Sequence, residues 1–413
     1  MLLANPHLPW NGDARFYQVQ LTIPGVLDVS GAALYGTPVV QIGHTAGLAW
    51  THTSTESQHM SLYQLHLVPG DPTSYLVDGR PERMQRQQVP VTVRGAEGVL
   101  TTTVRTLYSS RYGPVLAAGW TATSAVTMRD ANADNIRSLD QWLAMDRAQN
   151  VEQLRVAQRR YQGMPWAYTI ATDTTGAAYF TDSSVTPHLT DAQSASCQVA
   201  TIPGMDLPLL NGATTACDWG SDPDAVEPGL FAPSAAPALL RRDYVANSNN
   251  TPVLTNPKAP LTGYPQVFGT SERLAFRPQS GLAKIAGRIA GTDGLGPAGF
   301  TVPTLRLLTV DDSDRSAQVG LADVLAMCRA HPTLTAGDGT AVDMRAACTV
   351  LGDWDGHGHV DSHGQVLWSS FYKHLTGGPE TWWRIPYNPE EPLPTPRGIK
   401  GDDPAGRSAF AVP

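Results

Sequence analysis

The chain has 413 residues, of which 41% are hydrophobic and 16% charged, with a formal net charge of -8 at pH 7. That length suits one large domain or two ordinary ones, and the apolar content excludes a globally disordered chain. The acidic balance excludes a general nucleic-acid binder, and no apolar run is long enough to span a bilayer.

The chain opens on "MLLANPHLPW". It reads as an apolar strand ending in Asn-Pro-His, with the His7 imidazole at its end. Such a histidine is either a packing residue or a functional one. The stretch lacks the basic flank of a signal peptide, so any export signal would lie upstream.

Period-two alternation predicts a strand at Phe16–Ile23, then strands at 39–44, 48–55 and 61–68. "PGDPTSY" reads as a turn cluster. Residues 89–95 and 98–108 read as a hairpin around Gly95 and Gly98. A helix is predicted from Ser138, its N-cap, with Leu139, Trp142, Leu143 and Met145 on one side. A second helix follows Asn150 as cap. "MPWAYTIATD" and "AAYFTD" read as a strand pair joined by "TTG".

Residues 189–237 read as a loop-rich excursion carrying Cys197 and Cys217. "LADVLAMCRA" and "VDMRAACTVLGDW" read as helices, and residues 386–413 as an extended tail. Strands first and helices later favour an α+β architecture. Cys197, Cys217, Cys328 and Cys348 fall as two pairs, each 20 positions apart. Two local disulfides in an oxidising compartment fit this pattern, and four buried thiols are the alternative.

Two further stretches carry chemistry. "GDWDGHGHVDSHG" offers Asp353, Asp355, His357, His359, Asp361 and His363 as metal ligands, although a surface turn has the same composition. "RRDYVANSNNTP" sets Asn247, Asn249 and Asn250 close together. An Asn amide is a neutral donor able to hold a developing oxyanion, and Asn-rich turns are also common. No GxSxG elbow, HExxH or P-loop is present.

"MLLANPHLPWNGDARFYQVQLTIPG" and "GTPVVQIGHTAGLAWTHT", with "LVPGDPTSYLVDGRPERM", "MPWAYTIA", "RRDYVANSNN" and "GRIAGTDGL", resemble the β chain of penicillin-acylase-type N-terminal-nucleophile hydrolases. Within that family the branches most alike are the acyl-homoserine-lactone acylases and the cyclic-lipopeptide acylases. The resemblance runs from residue 1 to roughly residue 400. It implies an αββα sandwich, present in part as one β-chain piece truncated at both ends. It implies an amidohydrolase that removes a fatty acyl group from a lipopeptide antibiotic or an N-acyl-homoserine lactone through an acyl-enzyme. The precursor would be exported, secreted or periplasmic, and would cut itself into a small α chain and a large β chain that stay together as a heterodimer. The serine freed at the β-chain N-terminus attacks the amide, with its own α-amine as base.

No residue of this chain matches that serine, so the chain alone is expected to be inactive. Residue by residue, His7 matches the histidine that holds the nucleophile. Ser54 matches the backbone half of the oxyanion hole and Asn249 the side-chain half. Arg277 matches an orienting arginine, with Arg273 as competitor. Leu8, Leu34, Thr37, Trp142, Trp166 and Ala167 would line the acyl pocket. The four cysteines fit disulfides of this branch. The family's calcium ligands would fall in "TESQHMS", where no metal site is expected, and no cofactor is implied. Two other readings stay open. One is a non-catalytic acyl-chain binder. The other is a metal hydrolase using His357, His359 and His363.

Overall fold

The computed structural model describes residues 1–202, 207–271, 273–336, 338–376 and 382–400. Backbone contacts divide the chain into two compact units, residues 2–271 and residues 272–413, the latter with Met1.

The opening stretch is coil rather than the strand its apolar run suggests. Pro6 and Pro9 supply no amide to a ladder and constrain the residues before them. Leu2 instead packs against Tyr168, Ile170 and Phe180. β1 (Phe16–Ile23) falls where its alternation places it and pairs along its whole length with β2 (Leu27–Leu34). β2 has no clear alternation, because Gly31 and two alanines dilute its pattern. Gly31 is needed there: a Cβ would sit 2.1 Å from the Ile42 carbonyl oxygen of the next strand. β3 (Ile42–His44) is shorter than the predicted 39–44, because Val40 turns its amide to Asp146 instead of a neighbouring strand.

β4 (Leu48–Ser54) and β5 (Met60–Val68) follow the predicted alternation. "PGDPTSY" is mostly strand, not turn: β6 (Asp71–Val77) pairs with β5 and with β7 (Arg80–Arg83). Burial of Tyr75 and Val77 overrides the turn-forming residues before them. β8 (Gln85–Arg94) and β9 (Leu100–Ser110) form the predicted hairpin, and β10 (Gly113–Leu116) and β11 (Ser124–Asp130) return the chain to β5.

α1 (Arg137–Asp146) begins earlier than the expected Ser138 cap, with Ile136 at the cap position and no side-chain cap. The Arg137 guanidinium anchors that end by donating to Tyr161 O and Glu227. The buried side carries Gln141, Trp142, Met145 and Asp146, while Leu139 points outward. α2 (Val151–Tyr161) is capped as predicted, the Asn150 side chain accepting from Gln153 N at 2.9 Å. β12 (Ala167–Asp173) and β13 (Ala178–Thr181) are the predicted pair. The 189–237 stretch holds α3 (Asp191–Cys197), β14 (Gln198–Thr201) and β15 (Pro208–Asn211), and β15 pairs parallel with β5. A Cys197–Cys217 disulfide closes it. β16 (Ala238–Arg241) completes the first sheet of this unit.

Two sheets result. One runs β1-β2-β3-β4-β12-β13-β16 and is antiparallel throughout. The other centres on β5 and β11. α1 and α2 cover one face of the first sheet, where Trp142, Met145 and Leu154 pack with Val29, Trp50 and Ala171. Tyr168, Ile170 and Phe180 form a separate cluster, joined by Leu239 and Val245.

The second unit is mainly helical. α4 (Phe276–Ala290), α5 (Val302–Thr309), α6 (Arg315–Ala330), α7 (Arg345–Asp353) and α8 (Gln365–Thr376) surround a core of Val324, Met327, Trp354 and Trp368. Cys328–Cys348 ties α6 to α7. The expected extended tail, 386–413, is partly built into this unit: residues 397–399 pair with 383–385, and Ile399 is buried. From 401 onward it lies outside the described residues. The His357 and His359 rings stack 5.3 Å apart, and among the described residues no three His, Cys, Asp or Glu side chains converge as a metal site.

Candidate active site

The register of β4 on β12 decides what the end of β4 can do. Ser54 stands opposite Ala167, and the Thr55 amide donates to Trp166 O at 3.1 Å. Alternate residues of an antiparallel strand turn their backbone groups to opposite neighbours. Thr55 and Thr53 therefore bond β12, and Ser54 directs its N–H and C=O to the other side. β3, the neighbour on that side, pairs with β4 only at Ala49 and Trp50. The Ser54 backbone thus faces a gap in the sheet.

Asn249 reaches that gap. Its side-chain amide donates to Ser54 O at 3.3 Å. The Asn249 backbone is left-handed, with φ of 62°, a conformation Asn tolerates better than most residues. Asn247 holds it there. The Asn247 side chain accepts from the Asn249 amide at 2.9 Å and from the Thr53 hydroxyl at 2.7 Å, and donates to Asn250 O at 2.8 Å. The asparagine cluster is a scaffold that presents one side chain to the end of β4.

Two residues back along the same face of β4, His52 faces α1. The Trp142 indole N–H, which can only donate, hydrogen-bonds to His52 Nε2 at 3.3 Å. His52 Nδ1 then carries the ring proton and donates to Tyr168 O at 3.0 Å. Burial pushes this imidazole down to about 4, so it is neutral at physiological pH. Ala167, opposite Ser54, and Trp142 both belong to the helix-covered face. His52 is a neighbour of the candidate site that no motif singles out, although its i, i+2 spacing from Ser54 marks it as a same-face residue.

Leu34 and Thr37 lie where β2 turns toward β3, with the Thr37 amide donating to Leu34 O at 2.9 Å. The wholly buried Asp146 ties this connection to the end of α1 by accepting from Val40 N at 3.1 Å. Trp166 is 55% exposed, and Leu8 is 42% exposed on the opening coil, where His7 is exposed too. Arg277, in the first turn of α4, and Arg273 belong to the second unit, and both are exposed.

Burial raises the Asp146 carboxyl to about 7 and the Asp182 carboxyl to about 6, from 3.8. A carboxyl with an elevated folded pKa binds more protons folded than unfolded. Its stabilising contribution is complete below about pH 4 and is lost as pH rises through the folded pKa. His52 and His59, both lowered, act in the opposite sense over an overlapping window. The difference between wild type and Asp146→Asn isolates the carboxyl. Denaturant titrations are expected to show Asp146→Asn gaining stability over wild type as pH rises from about 4 to about 7, by about 1.4 kcal/mol per unit of elevation. A pH-independent difference would contradict this.

The chain matches the penicillin amidase family model over residues 1–396. It is 41% identical to aculeacin-A acylase of Actinoplanes utahensis, over 100% of this chain and 52% of that protein. It is 39% identical to acyl-homoserine lactone acylase PvdQ of Pseudomonas putida, over 97% of this chain and 50% of that one. It thus spans about half the length of these relatives. The fold is similar to a thermostable penicillin G acylase from Alcaligenes faecalis, with a TM-score of 0.63 at 18% identity, covering 89% of this chain and 60% of that one. Over residues 1–396, the chain belongs to the penicillin amidase family.

Proposed function

We propose that this chain is part of an exported acylase that cleaves a fatty-acyl amide through an acyl-enzyme, within an αββα N-terminal-nucleophile architecture. The observation that carries the reading is the convergence of the Ser54 backbone and the Asn249 amide on one gap at the end of β4. Two neutral donors there suit a carbonyl oxygen that becomes negative as the tetrahedral intermediate forms. In this reading, the nucleophile is an N-terminal serine outside residues 1–413, positioned by His7. Its oxygen bonds the substrate carbonyl carbon, and its proton passes to the serine's own α-amine and then to the departing nitrogen as the C–N bond breaks. Water then hydrolyses the ester.

An aculeacin-A acylase and acyl-homoserine lactone acylases among the relatives support a fatty-acyl substrate. So does an apolar helix-covered face that includes Trp142 and Ala167 beside the gap. Leu8, Leu34, Thr37 and Trp166 extend this pocket in the proposal. The two disulfides suit an oxidising compartment. An α chain from the same precursor is the proposed partner.

The test compares the 413-residue chain with the same chain extended upstream by its own coding sequence. Fatty-acid release from an N-acyl-homoserine lactone and from a lipopeptide is measured for each. Release by the extended protein alone is expected. Turnover by the 413-residue chain would overturn the nucleophile assignment, and silence from both would overturn the acylase reading.

A further inference from the structure

We propose that Asp182 is a positioning residue for the Ser54 backbone donor, acting through Ser57 and the segment that leaves β4. The proposal rests on the oxyanion reading of Ser54. Asp182 follows β13 and is wholly buried. Ser57 donates its hydroxyl to one carboxyl oxygen and Ser184 to the other, so both oxygens are satisfied by neutral groups.

Every residue between Ser54 and Met60 is pinned. The Thr55 amide bonds Trp166 O, and the Thr55 hydroxyl donates to His59 Nε2 at 2.8 Å. His59 Nδ1 donates to Val185 O at 2.8 Å. The Glu56 amide donates to Tyr168 Oη at 3.0 Å, and the Gln58 amide to Val267 O at 2.8 Å. Ser57, in the middle, is held by Asp182. The direction of the Ser54 N–H follows from the backbone path on either side of it. Upstream it is set by the ladder and by the Thr53–Asn247 bond, and downstream by this segment.

A carboxyl taken wholly out of water without a cation as partner burdens the fold, and burial raises it to about 6. Buried carboxyls shifted in this way cluster at functional sites. Asp182 sits where it clamps the exit of the candidate oxyanion strand to β13, two strands away.

Asp182→Asn and Ser57→Ala are compared with the conservative Ser57→Thr by amide hydrogen exchange on the full chain. Loss of one hydroxyl–carboxylate bond is expected to speed exchange of residues 54–59 about tenfold in Ser57→Ala. The β8–β9 hairpin should stay unchanged, and Ser57→Thr should match wild type. In the extended protein, Ser57→Ala should lower kcat about tenfold while KM moves less than about twofold, since a donor aimed at the intermediate acts on the transition state. Unchanged exchange at 54–59, a rise spread over the whole unit, or a loss carried by KM alone would overturn the proposal. If wild type itself releases no acyl group, the acylase reading fails, and the exchange result still decides whether Asp182 holds the segment.

Discussion

Asn249→Gly is expected to lower the kcat for acyl release about 100- to 1,000-fold with little change in KM, the range for losing one oxyanion-hole donor. Glycine is the informative substitute. Asn249 has φ of 62°, where alanine would add backbone strain and glycine adds none. A loss in Asn249→Gly therefore reports the missing amide and not a displaced loop. Asn249→Asp keeps the shape and can still accept from neighbours, but it sets a carboxylate against the developing oxyanion. It should lose at least as much. Steady-state rates of the extended protein on an acyl-homoserine lactone measure both. If Asn249→Gly retains more than about a third of wild-type kcat, the residue has no part in charge stabilisation.

Trp142→Ala is expected to cost about 3–5 kcal/mol of stability, the range for deleting a buried aromatic side chain. Trp142 is 7% exposed and packs between α1, α2 and the first sheet. Trp142→Phe separates packing from hydrogen bonding. It keeps most of the apolar contact but removes the N–H that satisfies His52 Nε2. An acceptor left unpaired there costs about 1–3 kcal/mol. Denaturant midpoints test both. In the extended protein, Trp142→Ala should also shift preference toward longer acyl chains, because a removed indole leaves room for methylenes. Equal rates on short and long substrates in wild type and Trp142→Ala would place the indole outside the acyl pocket.

Much of the framework is legible in the order of residues alone. β1, the β8–β9 hairpin, the Asn150-capped α2 and the β12–β13 pair follow from alternation, capping and turn residues acting over a few positions. Those signals fail where distant contacts override local preference. β6 forms through a "PGDPTSY" turn signal because Tyr75 and Val77 find a core. α1 starts at Arg137 and not after a Ser138 cap, because Arg137 is tethered to Tyr161 and Glu227.

The same division holds at the candidate site. The family resemblance, the residue types at Ser54 and Asn249, and the even count and regular spacing of the cysteines are legible in the chain alone, since motif order and composition are its own properties. Which backbone groups point into the gap was decided only by tertiary structure. That depends on the pairing of β4 with β12 against the early end of β3, and a one-residue slip would turn the Ser54 amide back into the ladder. His52, Asp146 and Asp182 carry no local signal for a related reason. Their roles come from being taken out of water by segments far away in sequence, and burial sets their hydrogen bonds and protonation.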